Sequence, residues 1–372
     1  MSRPRVALVA PTLDILGGQG VQARALLDHL RDDGYEVSLV PINPDFPPGL
    51  RWLRRHRYVR TVANQLLYGP SLRRLRRADV AHIFSASYCS FLLAPLPAIV
   101  AARLYGKRVV LNYHSGEADD HLTRWGALVH PWLRMVDEIV VPSAYLRAVF
   151  ARHGHRARVV PNTVDVSRFG HAERDPLLPR LVSTRNLEPY YRVDNTLEAF
   201  ALLKAHYPGA TLTVAGCGSQ ATRLERLARE LGVDGVRFVG RVEPRDMPRL
   251  YAEGHIFVNS SVVDNQPLSV LEAFASGLPV VSTATGDLAA MVRDGDTGLV
   301  VPPGDAVAMA KAVAALLADP ERARGLARRG RLEVEQYTWP RVRDQWASVY
   351  AGEPPPSMRD AAVGAAEGVS PR

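Results

Sequence analysis

The chain has 372 residues, about twice the usual length of one domain, so two compact units are the first expectation. Hydrophobic residues at 47% and charged residues at 23% match an ordinary globular protein, and the two cysteines, Cys89 and Cys217, exclude a disulfide framework and a cysteine-rich zinc site. The net charge of +8 is uneven: residues 1–170 hold 23 Lys and Arg against 13 Asp and Glu, while the remainder holds 23 against 25. An anionic partner is therefore expected for the first half, and a reducing cytoplasm for the whole.

The N-terminus, MSRPRVALVAPT, carries one short apolar run and no secretory pattern, and it reads as a first strand. Val6–Ala10, Glu36–Pro41, Val80–Phe84, Arg108–Tyr113, Glu138–Val141 and Ala157–Val160 are predicted strands, alternating with helical segments such as Val21–Asp33. The longest apolar stretch, Phe91–Leu104, is shorter than the roughly 18 residues a bilayer span needs and contains two prolines, which predicts a buried helix. After the polar stretch Ser167–Arg180 the alternation restarts with strands Leu181–Ser183, Thr211–Ala215, Val236–Val239, Ile256–Asn259, Pro279–Thr283 and Leu299–Val301. Helices are expected over Asp305–Ala318, Glu321–Gln336 and Trp339–Tyr350, and a disordered tail over residues 352–372.

This order predicts an α/β protein with two Rossmann-like, doubly wound parallel sheets. The expected divisions are residues 1–170, residues 171–336, and a last helix over 337–351 that returns to the first domain. Ligands of such sheets bind at the carboxyl ends of the strands, so a substrate cleft between two facing edges is expected.

The loop after the first strand contains GGQG, residues 17–20, where Gly17 and Gly18 permit close backbone approach and the following helix favours an anion. It reads equally as a simple turn. The block DNQPLSVLEAFASGLPVVST, Asp264–Thr283, is more informative. Pro267 can open a helix whose first turn offers the N–H groups of Leu268, Ser269 and Val270 to a diphosphate. Glu272, one turn on, faces the same side and can accept hydrogen bonds from ribose hydroxyls. Gly277 closes that helix.

With these pieces in order, the chain resembles the retaining glycosyltransferases of the large family-four group, which have the GT-B fold. The resemblance runs through GGQG, NYHSG at 112–116, DEIVVPS at 137–143, PNTVD at 161–165, STRNLEP at 183–189, AGCGS at 215–219, VGRV at 239–242, the 264–283 block and DGDTGLVVPPGD at 294–305. It implies a soluble hexosyltransferase moving sugar from a UDP- or GDP-sugar to a carbohydrate or lipid-linked acceptor, with no metal and no cofactor beyond the nucleotide-sugar substrate. By position it places His114 near the donor sugar, Arg185 on the diphosphate and Glu272 on the ribose. His114, Asp264 and Arg185 are the expected catalytic set. Gly17, Gly18, Asn162, Gly216, Gln266, Leu268 and Ser269 complete the expected donor contacts.

Two departures stand out. The family pairs its arginine with a lysine a few residues later, whereas this chain has none between Arg185 and Lys204, and Arg192 is the nearest cationic substitute. Eight positions before Glu272 the family has a second glutamate, here replaced by Asp264, which retracts the carboxylate by about 1.5 Å and bears on donor choice. Serine-triad, zinc-protease and P-loop patterns are missing, so charge stabilisation on the leaving diphosphate is the expected chemistry.

Arg51–Arg77 contains nine arginines and no acidic residue, with Trp52, Tyr58 and Tyr68 interspersed. It reads either as a solvated helical face or as an interfacial patch, with Arg51, Arg54, Arg55, Arg57 and Arg60 on anionic lipid or acceptor at the inner face of the cell membrane. Nucleic acid is not an expected partner. The competing readings are a nucleotide-sugar epimerase of the same fold, a dinucleotide-dependent oxidoreductase, and a non-catalytic nucleotide-sugar-binding protein.

Overall fold

The computed structural model describes residues 3–12, 18–46, 49, 52 and 57–354. The chain forms two compact units, Met1–Pro161 with Val342–Arg372, and Asn162–Arg341. The expected tail falls largely at 355–372, outside the described residues.

The strands of the first unit are β1 (Val6–Ala10), β2 (Val37–Pro41), β3 (Val80–Ser85), β4 (Arg108–Tyr113), β5 (Glu138–Val141) and β6 (Arg158–Val159). They form one parallel sheet in the order β2-β1-β3-β4-β5-β6. The second unit contains β7 (Arg180–Ser183), β8 (Thr211–Ala215), β9 (Val236–Gly240), β10 (Ile256–Asn259), β11 (Val280–Thr283) and β12 (Leu299–Val301). Their order is β12-β11-β10-β7-β8-β9, again all parallel. Each strand lies within one residue of its predicted bounds. Parallel strands bury both faces, which is why they read as continuous apolar runs. In the second unit Leu181, Val258 and Val281 enter one core cluster, while their neighbours Val182, Phe257 and Val280 enter another across the sheet.

Each sheet has one place where the strand order reverses. In the second unit the chain runs outward from β7 to β8 and β9, then returns to lay β10 on the other side of β7. The crevice outside the carboxyl ends of β7 and β10 is thus the topological switch point, where such sheets bind ligands. In the first unit the reversal lies between β1 and β3.

Residues 162–170 belong with the second unit, nine residues earlier than the division expected at Gly170. Side chains explain the difference: Asn162 is bonded to Gln266, Val164 N–H donates to Tyr337 O at 3.0 Å, and Phe169 is buried in the second unit's core. The helix Gly18–Asp32 starts three residues before the expected Val21, so Gly18 opens it instead of lying in the preceding loop, while Gly17 lies outside the described residues. The apolar stretch at 91–104 forms two helices, Cys89–Leu93 and Pro95–Leu104. Among the described residues no helix is long and apolar enough to cross a membrane.

The last helix, Trp339–Ala351, packs Trp346 and Tyr350 against His82 of β3. His82 is fully buried, with Nδ1 2.9 Å from the Tyr350 hydroxyl and Nε2 3.1 Å from Asn112 Nδ2. Burial pushes its imidazole down to about 3, so it stays neutral and needs both partners. Tyr350→Phe leaves one buried ring nitrogen unpaired. The expected cost is about 1–3 kcal/mol of unfolding free energy, read from denaturant melts; an unchanged midpoint contradicts this account of the helix.

Candidate active site

The second unit's site is built from the loops that leave β7, β8, β10 and β11. Arg185 stands two residues beyond β7, buried with its guanidinium between the loop after β10 and the start of the helix Leu268–Ala275. Its Nη2 donates to Asp264 Oδ2 at 2.6 Å and its Nη1 to Ser269 Oγ at 3.0 Å. Its Cζ lies 4.1 Å from the centre of the Tyr191 ring. Burial is the largest influence and opposes the charge, but Asp264, Tyr191 and Tyr251 together outweigh it, so the guanidinium is held above its ordinary value. Nε is buried and has no hydrogen-bond partner among the described residues.

Close backbone packing sets these positions. A Cβ on Gly216, at φ +149°, would lie 2.1 Å from the Arg185 carbonyl oxygen, so the turn after β8 can support Arg185 only as glycine. Gly286, at φ +57°, plays the same part for Asp264, whose carbonyl oxygen would lie 2.0 Å from an added Cβ. Asp264 Oδ1 also accepts the N–H of Asn265 at 3.0 Å.

The helix starts at Leu268 with Pro267 as its cap, one position earlier in role than expected. Val270 N–H is already bonded to the Pro267 carbonyl at 3.2 Å, which removes it from the expected set of anion donors. Leu268 and Ser269 remain at the head of the helix, where N–H groups have no intrahelical acceptors. The helix ends as expected, with Gly277 N–H on Phe274 O and Leu278 N–H on Ala273 O.

Glu272 lies one turn along the same face. The phenol of Tyr251 is 2.9 Å from Glu272 Oε2, 3.2 Å from the Ser269 carbonyl oxygen and 2.7 Å from Thr184 Oγ1, joining the β7 loop to the helix. Burial raises the Glu272 carboxyl to about 7, against the opposing pull of the Tyr251 hydrogen bond.

Asn162 and Gln266, both expected at the donor, are buried and bonded to each other: Asn162 N–H donates to Gln266 Oε1 at 2.6 Å, and Asn162 Nδ2 to Gln266 O at 3.1 Å. Arg192 adopts a left-handed backbone at φ 47°, costing roughly 1–2 kcal/mol in a residue with a Cβ. Its Nε donates to Asp194 Oδ1 at 3.0 Å.

His114 belongs to the first unit, just past β4. Its backbone N–H donates to the Ser85 carbonyl at 3.2 Å, which also accepts Gln19 Nε2 at 2.9 Å. Its ring stacks on Phe84 at 5.4 Å, and Phe84 stacks on His82 at 5.0 Å. Burial lowers the imidazole to about 4, and Nε2 is buried with no partner among the described residues.

Of the basic segment, Arg51, Arg54 and Arg55 lie outside the described residues, as does the side chain of Arg57, while Arg60 is exposed on the helix Arg57–Ser71. Tyr68, on the surface in either reading of this segment, is instead buried, its hydroxyl bonded to Ala94 O at 2.8 Å, because it closes the first unit's core. On this helix Val59, Val62 and Leu66 are exposed at 45%, 61% and 71%, spaced for one helical face, and Trp52 before it is exposed at 59%. Among the described residues no group of three His, Cys, Asp or Glu is placed to hold a metal ion.

The model of Glycosyltransferase Family 4 matches residues 16–168, and that of Glycosyl transferases group 1 matches residues 171–333. A glycogen synthase of Mycobacterium tuberculosis is 31% identical over 290 residues, covering 74% of this chain and 69% of the relative. The same organism's GDP-mannose-dependent alpha-(1-6)-phosphatidylinositol monomannoside mannosyltransferase is 30% identical over 333 residues, covering 80% and 84%. The chain belongs to the family-four glycosyltransferases. Its fold is GT-B: sucrose-phosphate synthase from Thermosynechococcus elongatus superposes with a TM-score of 0.75 at 21% identity over 94% of this chain and 98% of the other. The Anabaena HepE complex with UDP and glucose gives 0.73 at 17% identity over 94% and 99%.

Within this glycosyltransferase, the structure gathers Arg185, Asp264, Ser269, Glu272 and Gly216 at one switch point, and leaves His114 and Gly18 in the other unit. Tyr191 and Tyr251 were missing from the sequence reading. The YY pair within RNLEPYYR was a signal for the first; nothing near Tyr251 in sequence marks the second.

Because the folded Glu272 carboxyl ionises near 7 and an unfolded one near its ordinary value of 4.5, its burial costs nothing below pH 4.5, and the cost grows until about pH 7. Glu272→Gln escapes that cost. The variant's Tm should therefore exceed wild type increasingly from pH 4.5 to about pH 7 and by a steady margin above that, by circular dichroism melts. Parallel Tm-against-pH curves would show that Glu272 is not strained by burial.

Proposed function

We propose that this glycosyltransferase moves a hexosyl group from a UDP- or GDP-sugar to a carbohydrate or lipid-linked acceptor, with retention of configuration and without a bound metal. The observation that carries the reading is Arg185: a buried guanidinium with an unfilled Nε–H, beside a helix N-terminus at the switch point of a doubly wound sheet. A diphosphate supplies the acceptor oxygens such a group requires. The GDP-mannose dependence of the mycobacterial relative and the UDP in the HepE structure support a nucleotide diphosphate donor.

In this reaction the bond between the anomeric carbon and the diphosphate oxygen breaks, and the acceptor oxygen bonds to that carbon. The acceptor proton passes to the departing phosphate. Arg185 and the N–H groups of Leu268 and Ser269 stabilise the negative charge that develops there, which is the main demand of the step. In this reading Glu272, which accepts the Tyr251 hydroxyl, also accepts from the ribose hydroxyls.

Incubation with UDP- and GDP-sugars should give acceptor-dependent release of nucleotide diphosphate. Arg185→Ala should weaken UDP or GDP binding about ten- to a hundredfold in calorimetry, the range for losing charge-assisted hydrogen bonds. Sugar rearrangement without an acceptor would assign an epimerase, and donor binding without turnover a non-catalytic protein.

The acceptor reading extends to a lipid surface. Val59, Val62 and Leu66 present an apolar stripe beside Arg60, within a segment of nine arginines and no acid, a pattern suited to an anionic interface. Val62→Ser with Leu66→Ser and Arg60→Glu should lower co-sedimentation with phosphatidylglycerol-containing vesicles and leave Tm unchanged. Equal sedimentation of variant and wild type would refute the membrane role.

A further inference from the structure

The chain has no lysine where the family supplies a second cation, and Arg192, the expected substitute, is a part-exposed side chain with its Nε on Asp194. Its guanidinium is turned onto Asp194, which also receives Arg223 at 3.5 Å. Tyr191, the residue before it, meets Arg185 directly. Its ring centre is 4.1 Å from Arg185 Cζ, and it packs T-shaped with the Tyr190 ring, the centroids 4.5 Å apart.

The backbone that carries Tyr191 is tied to the loop leading to Asp264. Val262 N–H donates to Tyr190 O at 2.9 Å, and Ser260 Oγ lies 3.1 Å from Tyr191 O and 2.6 Å from Arg192 O. Arg185 is therefore held between two loops that are bonded to one another. An aromatic face holds a guanidinium through its π-system and consumes none of the N–H groups at its edge. With Asp264 on Nη2 and Ser269 on Nη1, the fork stays oriented while Nε remains open.

We propose that Tyr191 is the positioning residue of the donor site, its ring holding the Arg185 guanidinium ready for a diphosphate in place of a second cation, and that Arg192 is not a phosphate ligand. Arg192 then serves the loop through its backbone, at a left-handed position that suits glycine. A diphosphate meets one arginine, and it displaces the Asp264 carboxylate from Nη2 as it binds. This inference rests on the reading of the site as a nucleotide-diphosphate site.

The test is calorimetric titration of UDP and of GDP into wild type, Tyr191→Phe, Tyr191→Ala, Arg192→Gly, Arg185→Ala and the Arg185→Ala/Tyr191→Ala double variant, each checked by thermal melting. Tyr191→Phe and Arg192→Gly should bind within about threefold of wild type, and Tyr191→Ala about tenfold more weakly. In the Arg185→Ala background, Tyr191→Ala should add no further loss, an outcome that a general loosening of the fold would not give. A large loss in Arg192→Gly, a neutral Tyr191→Ala, or additive losses in the double variant would overturn the inference while leaving the donor reading intact. Wild type that binds neither nucleotide would overturn the donor reading, and this inference with it.

Discussion

A guanidinium buried at the switch point of a parallel sheet is the constraint around which the second unit is arranged. An uncompensated charge there would be prohibitively costly, so its surroundings must supply a carboxylate, a hydroxyl and an aromatic face in fixed positions. Asp264, Ser269 and Tyr191 supply them from three different segments. Those segments in turn need close backbone approach, and glycines at 216 and 286 permit it. Strand order decides where this happens, because only the reversal between β7 and β10 leaves a crevice that loops from both sides can enter.

The same arrangement sets the electrostatics. Arg185 and Asp264 cancel one another, and Glu272 is half-neutral near pH 7 because burial penalises its charge. The site therefore carries little net charge of its own. On the proposed reading, an arriving diphosphate is met by oriented donors and a helix end, and Asp264 is the group that yields. The Asp264 carboxylate is occupied with the arginine.

The fold was legible because parallel strands buried on both faces declare themselves as short apolar runs, and glycines and prolines separate them. Arg185, Asp264, Ser269 and Glu272 were legible from helix-start chemistry and from the family resemblance. What sequence spacing concealed were contacts that depend on where side chains turn. Tyr68 looked like a surface aromatic and closes a core, while the Arg192 guanidinium turns its Nε onto Asp194, two residues on. Tyr251 lies 21 residues from Glu272 in sequence, on another helix, and only folding brings its phenol to that carboxylate. Asn162 lies 104 residues from Gln266, so its place in the second unit could not be read from the chain.

The most direct test of the account is a crystal structure of the protein with UDP or GDP bound. It should show a phosphate oxygen within hydrogen-bond distance of the Arg185 guanidinium and of the N–H groups at Leu268 or Ser269, with Asp264 Oδ2 withdrawn from Nη2. A nucleotide bound elsewhere, with the Arg185–Asp264 pair intact, would contradict it.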